Sequence, residues 1–452
     1  MNGSDLQLAR QLAQRVADAG GSAWFVGGYV RDLLMGSPGK DLDIEVHGIT
    51  PETLEQILDT LGERTQMGVS FGIYGLKHHN LDIAMPRRET ATGRGHRDFQ
   101  VDVDPFLGID QACRRRDFTV NAMMRNVLTG ELADPWGGRR DLESGILRHV
   151  CSETYVEDPL RVLRCAQFAA RFGFTVAEET LQLSAAMDLS TLPKERVLGE
   201  LEKALLKAEH PSIFFEVLRR MDQLEFWFPE LQALIDVPQE PRFHPEGDAW
   251  NHTMLVLDAA ASLRDQAEAP LDFMLAALLH DTGKPATTTI EPDGRIRSIG
   301  HEQAGVPVAE AFLQRISGRQ QTLYYVRNMV SLHMRPNQLP LQNAKPKAYA
   351  KLFDSAVSPR DLLLLSRADR MGQATPMDDY EPVWALLQQQ LCEFEALMQQ
   401  PQVTGRDLIA VGMKPGPELG KALAYAHRMH LAGVDRDTAL RQTLAEFLPD
   451  RA

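Results

Sequence analysis

The spacing of apolar residues predicts a small head built from both helices and strands. Residues 5–19 have helical apolar spacing and end at Gly20-Gly21, a stop signal for a helix. Residues 23–26 are continuously apolar and run into a glycine turn, as a buried strand does. Residues 42–46 alternate like a strand, and residues 72–76 with 81–84 predict a hairpin.

Helical spacing dominates after about residue 150, where strand patterns nearly vanish. The segments with helical spacing are 158–172, 194–208, 211–222, 251–265, 270–281, 303–315, 320–334, 359–371, 380–399, 417–432 and 436–447. The predicted fold class is therefore α+β, with a small mixed head followed by an all-α body. Two prolines within residues 237–241 mark a candidate boundary inside that body.

Composition indicates a globular chain of several units. With 452 residues the chain is too long for one ordinary core, so about two to four compact units are expected. Apolar content of 44% and charged content of 24% are typical of soluble proteins. No apolar run approaches the roughly 18 residues of a membrane span, and the four cysteines form no CxxC pair. We therefore expect a protein of the reducing cytoplasm with no membrane partner.

The net charge of −14 is distributed unevenly along the chain. Residues 86–171 contain 14 arginines and no lysine against 13 carboxylates, so this stretch is nearly neutral within an acidic chain. Taken alone, the whole-chain charge argues against a polyanionic partner. A comparatively basic face is nevertheless compatible with a nucleic acid that docks on one side.

Two aspartates behind a glycine turn form the first candidate site. Asp41 and Asp43 lie two residues apart on a predicted strand, so both side chains leave the same face. A divalent cation would relieve their repulsion, and Mg²⁺ suits a site with few carboxylates. Gly27 and Gly28 let the backbone approach a triphosphate, and Arg31 supplies a bidentate charge. Either motif alone is more often a solvated turn, whereas their combination predicts metal-dependent phosphoryl transfer.

These residues open a longer series of motifs. The series comprises GGYVRDLLMG and KDLD (27–43), RRDFTVNA (115–122), DPWGGRRDL (134–142) and EDPLRVLR (157–164). It resembles the tRNA nucleotidyltransferases and bacterial poly(A) polymerases, class II of the polymerase-β-like superfamily. The resemblance covers roughly residues 20–225 and implies a polymerase-β-like head with Mg²⁺ at Asp41 and Asp43. The nucleotide-binding residues that it implies are Gly27, Gly28, Arg31, Arg116, Asp117, Asn121, Glu157, Asp158, Arg161 and Arg164.

The EDPLRVLR block starts a predicted helix that carries Asp158, Arg161 and Arg164 on one face. One interpretation is a capped helix with an ion pair. The other is recognition of cytosine and adenine, whose edges place an amino donor beside a ring-nitrogen acceptor. Uracil and guanine would set a carbonyl against Asp158, at a cost of roughly 1–3 kcal/mol. The resemblance implies this second role, with Glu157 orienting Arg161 while Arg116 and Arg164 hold phosphate or ribose.

Residues 86–108 form a polar, glycine-bearing stretch that we predict to be a loop, either functional or disordered. By position it is the flexible loop of the resembled family. Members of that family that add only CC lack the loop, so its presence indicates addition of A. Arg87, Arg88 and Arg94 are candidate phosphate contacts, although a solvated charged loop is an equal interpretation. Asp82 is a candidate third carboxylate near the metals.

A second candidate metal centre lies in the predicted helical body. The adjacent pair His280-Asp281 ends an apolar helix, and further histidines and an aspartate occur before and after it. The candidate ligands are His252, His280, Asp281, His301, His333 and Asp369. Mixed imidazole and carboxylate ligands suit a transition metal (Ni, Mn, Co, Fe or Zn) better than calcium. Lys284 is a candidate contact for a substrate phosphate.

This ordered set resembles the HD phosphohydrolase superfamily, as found in CCA-adding enzymes that carry a C-terminal HD domain. The resemblance implies phosphatase or 2′,3′-cyclic phosphodiesterase activity through a metal-activated water. The alternative is a retained fold that only binds tRNA. The expected domains are a nucleotidyltransferase head (1–150), a helical neck for templating and RNA binding (151–236), an HD domain (237–375) and a helical tail (376–452).

Several functions remain open at this point. The first hypothesis is addition of C, C and A to the 3′ end of tRNA from CTP and ATP by two-metal transfer. The second is an A-adding enzyme or a poly(A) polymerase, because the motifs overlap. The third is an HD phosphohydrolase with a vestigial head, against which the intact Asp41 and Asp43 argue. A non-catalytic RNA-binding module would leave both metal sets unexplained, and no oligomeric state is predicted.

Overall fold

The computed structural model describes residues 3–37, 39, 41–66, 73–91 and 99–448. The chain divides into two compact units. The first comprises Met1–Ala204 with Ile213–Phe226, and the second comprises Leu205–Ser212 with Trp227–Ala452. The first unit contains a mixed sheet with helices and the second is mainly helical, which is the α+β class predicted from the sequence.

The described strands of the first unit form one larger sheet and two short ladders. They are β1 (Ser22–Val26), β2 (Leu42–His47), β3 (Arg64–Gln66), β4 (Ile73–Leu76), β5 (Leu81–Ala84), β6 (Arg87–Ala91), β7 (Phe99–Val103), β8 (Met124–Asn126), β9 (Leu132–Ala133), β10 (Ile146–Leu147) and β11 (Thr175–Val176). The seven-stranded sheet has the order β3-β4-β5-β2-β1-β8-β9. Its neighbours pair antiparallel except β2 and β5, which run parallel.

Helices of the first half of the chain cover this sheet and continue beyond it. They are α1 (Gly3–Asp18), α2 (Gly28–Leu34), α3 (Pro51–Asp59), α4 (Ile109–Arg114), α5 (Gly138–Glu143), α6 (Ser152–Tyr155), α7 (Leu160–Phe172), α8 (Glu178–Ala185), α9 (Lys194–Lys207), α10 (Ser212–Arg220) and α11 (Leu224–Trp227). The predicted helical segments 158–172 and 194–208 correspond to α7 and α9.

Alternation along β2 decides which side chains face the core. Leu42, Ile44 and Val46 enter a cluster shared with apolar residues of α1 and α3. Because successive side chains of a strand point to opposite faces, Asp43 and Glu45 must leave the other face. The central strand thus carries acidic groups on the side of the sheet away from that core.

Gly27 turns β1 into α2 with a backbone φ of +64°, a conformation that L side chains rarely adopt. A Cβ added there would lie 3.2 Å from Nη1 of Arg116 and 3.8 Å from Oδ2 of Asp43. Glycine is therefore required both by the turn and by the close approach of these two side chains.

The stretch 86–108 is not a loop throughout, because β6 and β7 form an antiparallel hairpin. Phe99, Val101 and Val103 alternate with polar residues, which is a pattern typical of a strand. The glycines and charged residues elsewhere in the stretch 86–108 led to its prediction as a loop. Arg94 lies outside the described residues, and so does the side chain of Arg88.

The second unit is helical as predicted, apart from one hairpin. Its helices are α12 (Pro229–Gln232), α13 (Ala249–Leu263), α14 (Pro270–Leu279), α15 (Lys284–Thr287), α16 (His301–Ile316), α17 (Gln320–Leu332), α18 (Arg335–Leu341), α19 (Pro346–Ser355), α20 (Pro359–Met371), α21 (Glu381–Met398), α22 (Gly405–Ala410), α23 (Pro417–His430) and α24 (Arg436–Phe447). The hairpin pairs β12 (Thr288–Ile290) with β13 (Ile296–Ser298), whose β-branched residues flank an Asp293-Gly294 turn. No helix of the described chain combines the length and apolar character needed to cross a membrane.

Candidate functional site

A cavity of about 470 Å³ in the first unit collects most of the predicted nucleotide-binding residues. Its lining comprises Gly27, Gly28, Arg31, Asp43, Arg116, Asp117, Asn121, Asp158, Leu160, Arg161, Arg164, Phe168, Arg171 and Arg196. Of the predicted residues, Asp41 and Glu157 lie outside this lining. Six arginines against three carboxylates suit a polyanionic ligand.

Asp43 stands in a strongly acidic environment. Asp82 pairs in register with it across the parallel strands β5 and β2. Burial, the charge of Asp82 and the charge of Asp41 all raise the pKa of Asp43, whereas the nearby Arg116 lowers it. A divalent cation bound to these carboxylates would remove the repulsion, and an all-oxygen donor set fits Mg²⁺.

Arg116 is held in place by two side chains that no motif indicated. Its Nη2 donates to Oε2 of Glu45 at 3.1 Å, and Oε1 of Glu45 lies 3.0 Å from Nε2 of His47. Burial would raise the pKa of Glu45, but the hydrogen bond with His47 and the charge of Arg116 lower it. Glu45 therefore stays charged and fixes the guanidinium. Strand alternation, which puts Glu45 on the face of Asp43, was the available signal.

A buried chain of hydrogen bonds links the RRDFTVNA block to α7 and α2. Oδ2 of Asp117 accepts from Nε of Arg164 at 2.8 Å, and Oδ1 of Asp117 accepts from Nδ2 of Asn121 at 3.0 Å. Oδ1 of Asn121 in turn accepts from Nη1 of Arg31 at 2.6 Å. Arg31 is only 3% exposed and also pairs with Asp32 at 2.6 Å. Arg31 thus lies in the cavity wall with its charge already paired, unlike the free bidentate donor that the sequence suggested.

Asp158 stands where the sequence placed it, at the start of α7. Its Oδ1 accepts from the N–H of Leu160, the first residue of α7, at 3.1 Å, while Pro159 rather than Asp158 is the N-cap of the helix. Its Oδ2 also accepts from Nη2 of Arg196 at 3.1 Å. Arg196 belongs to α9 and lies 38 residues along the chain, and no spacing rule connects the two positions.

Arg161 is fixed by backbone carbonyls. Its Nη1 donates to the oxygen of Thr154 at 2.6 Å and its Nη2 to that of Arg115 at 2.8 Å. These two carbonyls hold the guanidinium, and the role of Glu157 in orienting it, which the resemblance implied, stays a prediction. They use two of the five N–H groups of the guanidinium. Arg161 also lines the cavity, where its remaining N–H groups can meet a ligand.

The second unit brings the six predicted HD ligands together around Asp281. Its Oδ2 lies 3.1 Å from Nε2 of His280 and 3.6 Å from Nε2 of His252. Its Oδ1 lies 3.2 Å from Nε2 of His301 and 3.8 Å from Nε2 of His333. The candidate ligands form two groups, and within each group the ligand atoms lie within 4.8 Å of one another. One group is His252, His280 and Asp369, and the other is Asp281, His301 and His333. The carboxylate of Asp281 contacts histidines of both groups.

The histidine rings are locked with the same nitrogen facing inward. Three of them donate Nδ1–H to a backbone carbonyl, which turns Nε2 towards the other candidate ligand atoms. These bonds join His280 to Ala277 (2.8 Å), His301 to Ser298 (2.7 Å) and His333 to Val330 (2.7 Å). Nε2 of His280 has no hydrogen-bond partner among the described residues, and Nε2 of His301 lies 3.2 Å from that of His333.

The surroundings shift the pKa values of these groups in different directions. Burial would lower the pKa of His252, but its hydrogen bonds with Asp369 and Glu246 raise it to about 9, and Asp281 likewise raises the pKa of His301. Burial and the neighbouring His280 lower the pKa of His333 to about 3, so it is neutral. Burial would raise the pKa of Asp281, but His280 and Lys284 hold it well below its usual range. Although Asp281 also accepts from Nζ of Lys284, the imidazoles and carboxylates that converge here are the donor set of a divalent transition metal.

Gly283 allows this convergence. An added Cβ there would lie 2.0 Å from the carbonyl oxygen of His301, so the turn after Asp281 touches the start of α16. Two further side chains, His244 and Glu246, join His252 in a third group of ligand atoms within 4.8 Å. No spacing pattern of the sequence had indicated either residue.

Three family models match successive parts of the chain. A model of the poly A polymerase head domain matches residues 23–148, and one described as the probable RNA and SrmB-binding site of polymerase A matches residues 173–235. An HD domain model matches residues 249–371.

Among solved structures, the CCA-adding enzyme of Thermotoga maritima complexed with tRNA-CCA has a TM-score of 0.66 at 21% identity, covering 99% of this chain and 96% of that one. The Bacillus stearothermophilus CCA-adding enzyme in complex with CTP has a TM-score of 0.68 at 20% identity, covering 99% and 98%. These likenesses show the fold.

Curated relatives are more similar in sequence. The multifunctional CCA protein of Xanthomonas oryzae is 36% identical over 435 residues, which is 93% of this chain and 99% of the relative. That of Stenotrophomonas maltophilia is 37% identical over 416 residues, or 89% and 97%. The family resemblance expected from the motifs is confirmed, and the chain belongs to the multifunctional CCA proteins, with a poly(A) polymerase head and an HD domain.

Proposed function

We propose that this chain adds C, C and A to the 3′ end of tRNA from CTP and ATP, releasing pyrophosphate. The observation that carries the proposal is a single cavity in which Asp43 and Arg116 line the same space as Asp158 and Arg161. Groups suited to transfer and groups suited to base selection thus serve one bound nucleotide. The names of the relatives and the tRNA-CCA complex of the Thermotoga enzyme agree with this assignment.

The chain's own residues bind and orient the nucleotide. Asp41 and Asp43 would hold Mg²⁺, which would neutralise negative charge on the triphosphate and on the attacking 3′ oxygen. Arg116, fixed by Glu45, presents its remaining N–H groups to phosphate. The 3′ oxygen of the tRNA forms a bond to the α-phosphorus while the bond from that phosphorus to the leaving pyrophosphate breaks.

Asp158 and Arg161 select the base. The carboxylate of Asp158 accepts from the amino group of cytosine or adenine, and a free N–H of Arg161 donates to the ring nitrogen. Arg196, paired with Asp158, holds the carboxylate in position. Uracil and guanine place an acceptor against an acceptor, which costs roughly 1–3 kcal/mol.

The test is nucleotide addition to tRNA that ends before CCA, with CTP alone, ATP alone, or both. We expect CC with CTP alone and CCA with both nucleotides, ending after one A. Incorporation of A only onto a tRNA that already ends in CC would instead indicate an A-adding enzyme. A long tail on any RNA would indicate a poly(A) polymerase.

We further propose that the second unit hydrolyses phosphate esters, with a transition metal (Ni, Mn, Co, Fe or Zn) bound by the six HD residues. The inward-facing Nε2 atoms around Asp281 favour this function over a purely RNA-binding tail. Lys284, whose Nζ lies 2.6 Å from Oδ2 of Asp281, lines the same cavity and is placed to meet a phosphate. The test is hydrolysis of a 2′,3′-cyclic nucleotide and a phosphomonoester with each metal. Absence of hydrolysis with every metal would overturn this part.

Two further assignments are proposals of the same kind. We propose a cytoplasmic location, which the three buried free thiols and one exposed free thiol support. We also propose the fourfold division at residues 150, 236 and 375, in which the neck and tail flank the HD domain.

A further inference from the structure

One glutamate beside the HD ligands holds two imidazoles at once. Oε1 of Glu246 lies 2.8 Å from Nδ1 of His252 and 2.8 Å from Nδ1 of His244. A carboxylate oxygen accepts hydrogen bonds, so both rings donate through Nδ1. The side chain of Glu246 is only 3% exposed, and water therefore competes little for these contacts.

The segment that carries Glu246 is anchored to its surroundings. Asp248 caps α13 by accepting from the N–H of Asn251 at 2.9 Å, and it also accepts from the N–H of Asp236 at 2.8 Å. Nε2 of Gln239 donates to the carbonyl of Asp248 at 3.0 Å. Glu246 is thus presented from a fixed turn, and its carboxylate can impose an orientation on both rings.

For His252 the consequence concerns the cation. Its Nε2 lies 3.1 Å from Oδ1 of Asp369 and 3.6 Å from Oδ2 of Asp281. With Nδ1–H committed to Glu246, Nε2 is the ring nitrogen left to bind a cation together with these two carboxylates. A carboxylate behind a histidine fixes the ring and raises its basicity as a metal ligand.

The contact with Glu246 orients the ring of His244 beside the cavity of the HD centre. The ring packs edge-on against that of His252, with centroids 4.7 Å apart at an interplanar angle of 82°. His244 lines a cavity of about 400 Å³ together with Asp281, Lys284 and Asp369. Because its Nδ1 is bound to Glu246, its Nε2 is the atom left to meet a ligand in that cavity.

We infer that Glu246 is a positioning residue of the HD centre and that His244 is a residue contacting its substrate. Glu246 directs Nε2 of His252 to the cation and Nε2 of His244 to a hydroxyl group or water at the bound phosphate ester. The inference rests on the proposed phosphohydrolase function of the second unit. It adds two residues that neither the motif nor the six-ligand set contains.

The test measures cation binding and hydrolysis separately. The metal-free full chain carrying Asp43→Ala, which removes a head carboxylate that binds cations, is titrated calorimetrically with Mn²⁺ and with Ni²⁺. Glu246→Gln should weaken cation binding about 10–100-fold, as loss of such a supporting carboxylate does. His244→Gln should leave cation affinity unchanged and lower kcat/KM for a 2′,3′-cyclic nucleotide about 10-fold or more at saturating cation. Glu310→Gln, which breaks a pair with Arg327 elsewhere in the unit, should change neither quantity.

Each outcome decides between specific claims. Equal cation affinity in Glu246→Gln and the parent overturns the positioning role while the hydrolase stands. Unchanged kcat/KM in His244→Gln overturns the substrate contact. A parent that binds neither cation overturns the proposed hydrolase and this inference together. If Glu246→Gln does not fold, Glu246→Asp, which withdraws the carboxylate from both rings, is titrated with the same expected loss.

Discussion

The arginines of the nucleotide cavity differ in how much of their hydrogen-bonding capacity is already used. Arg31 is bound by the side chains of Asp32 and Asn121, whereas Arg161 is anchored to the backbone carbonyls of Thr154 and Arg115. A buried N–H group that already has an acceptor in the protein helps to hold the site in place. An N–H group without such an acceptor can donate to a ligand. At the scale of single residues, we therefore propose that base selection depends on Arg161 and on the carboxylate of Asp158.

Replacing that carboxylate by an amide should relax base selection. In Asp158→Asn the side chain can donate to the carbonyl of uracil, which the carboxylate cannot do. We expect the ratio of kcat/KM for CTP over UTP to fall about 10–100-fold. The measurement is steady-state addition to a tRNA that lacks CCA. Asp188→Asn, a change at an exposed turn of the same unit, is the control. A ratio that stays at the wild-type value in Asp158→Asn would refute the templating role.

Asp117 should make the stability of the first unit depend on pH. Burial would raise its pKa, but Arg164 and the amide of Asn121 lower it below the ordinary value. A carboxyl group with a depressed pKa stabilises the fold fully above its unfolded pKa of about 4, and this contribution is lost as pH falls through the lower folded value. Below about pH 4, the free energy of unfolding measured in urea should therefore fall more steeply with decreasing pH for the wild type than for Asp117→Asn. Equal pH slopes for the two proteins would contradict this account.

At the scale of elements, the turn from β1 into α2 controls how close Arg116 and Asp43 come. Gly27→Ala should cost about 1–3 kcal/mol of unfolding free energy, because alanine is strained at positive φ. It should also impair nucleotide addition, since the new Cβ would lie 3.2 Å from Nη1 of Arg116. Denaturant unfolding and the KM for CTP measure the two effects.

The matched control is Gly36→Ala at the end of the same helix. Gly36 also has a positive φ, of +78°, but a Cβ there would have nothing within 4 Å. Gly36→Ala should therefore lower the free energy of unfolding and leave the KM for CTP unchanged. If both variants keep the wild-type KM, the close approach at Gly27 has no functional role.

Local patterns predicted the elements whose signals are contiguous in sequence. The β4–β5 hairpin and α7 follow from alternation and from helical spacing. The parallel pairing of β2 with β5, which sets Asp82 against Asp43, joins strands from distant segments and leaves no local trace. The same holds for the bond between Glu45 and Arg116, which are 71 residues apart.

Other elements were missed because their local signals conflict. The helix α18 contains Pro336 and Pro340, which disfavour a helix in any pattern-based prediction. The hairpin of β12 and β13 has strands of only three residues, too short to show alternation. In the HD centre, the family resemblance predicted the six ligands. His244 and Glu246 were identified only from their positions beside His252 in the structure.

At the scale of the whole molecule, the two candidate sites belong to different compact units. Asp281→Ala should therefore abolish phosphate-ester hydrolysis and leave nucleotide addition at the wild-type rate. Asp43→Ala should do the reverse. Both activities are assayed on the same preparations with the intact chain, so each variant serves as the control for the other. Loss of both activities in either folded variant would show that the sites are not separate.

The central claim is that the cavity of the first unit chooses C and A without a nucleic acid template. The most direct measurement offers the protein a tRNA that ends before CCA with all four nucleoside triphosphates at equal concentration, and sequences the new 3′ ends. We expect CCA as the dominant product in the wild type and no addition in Asp43→Ala. Ends of mixed sequence, tails of many residues, or addition that survives Asp43→Ala would contradict it.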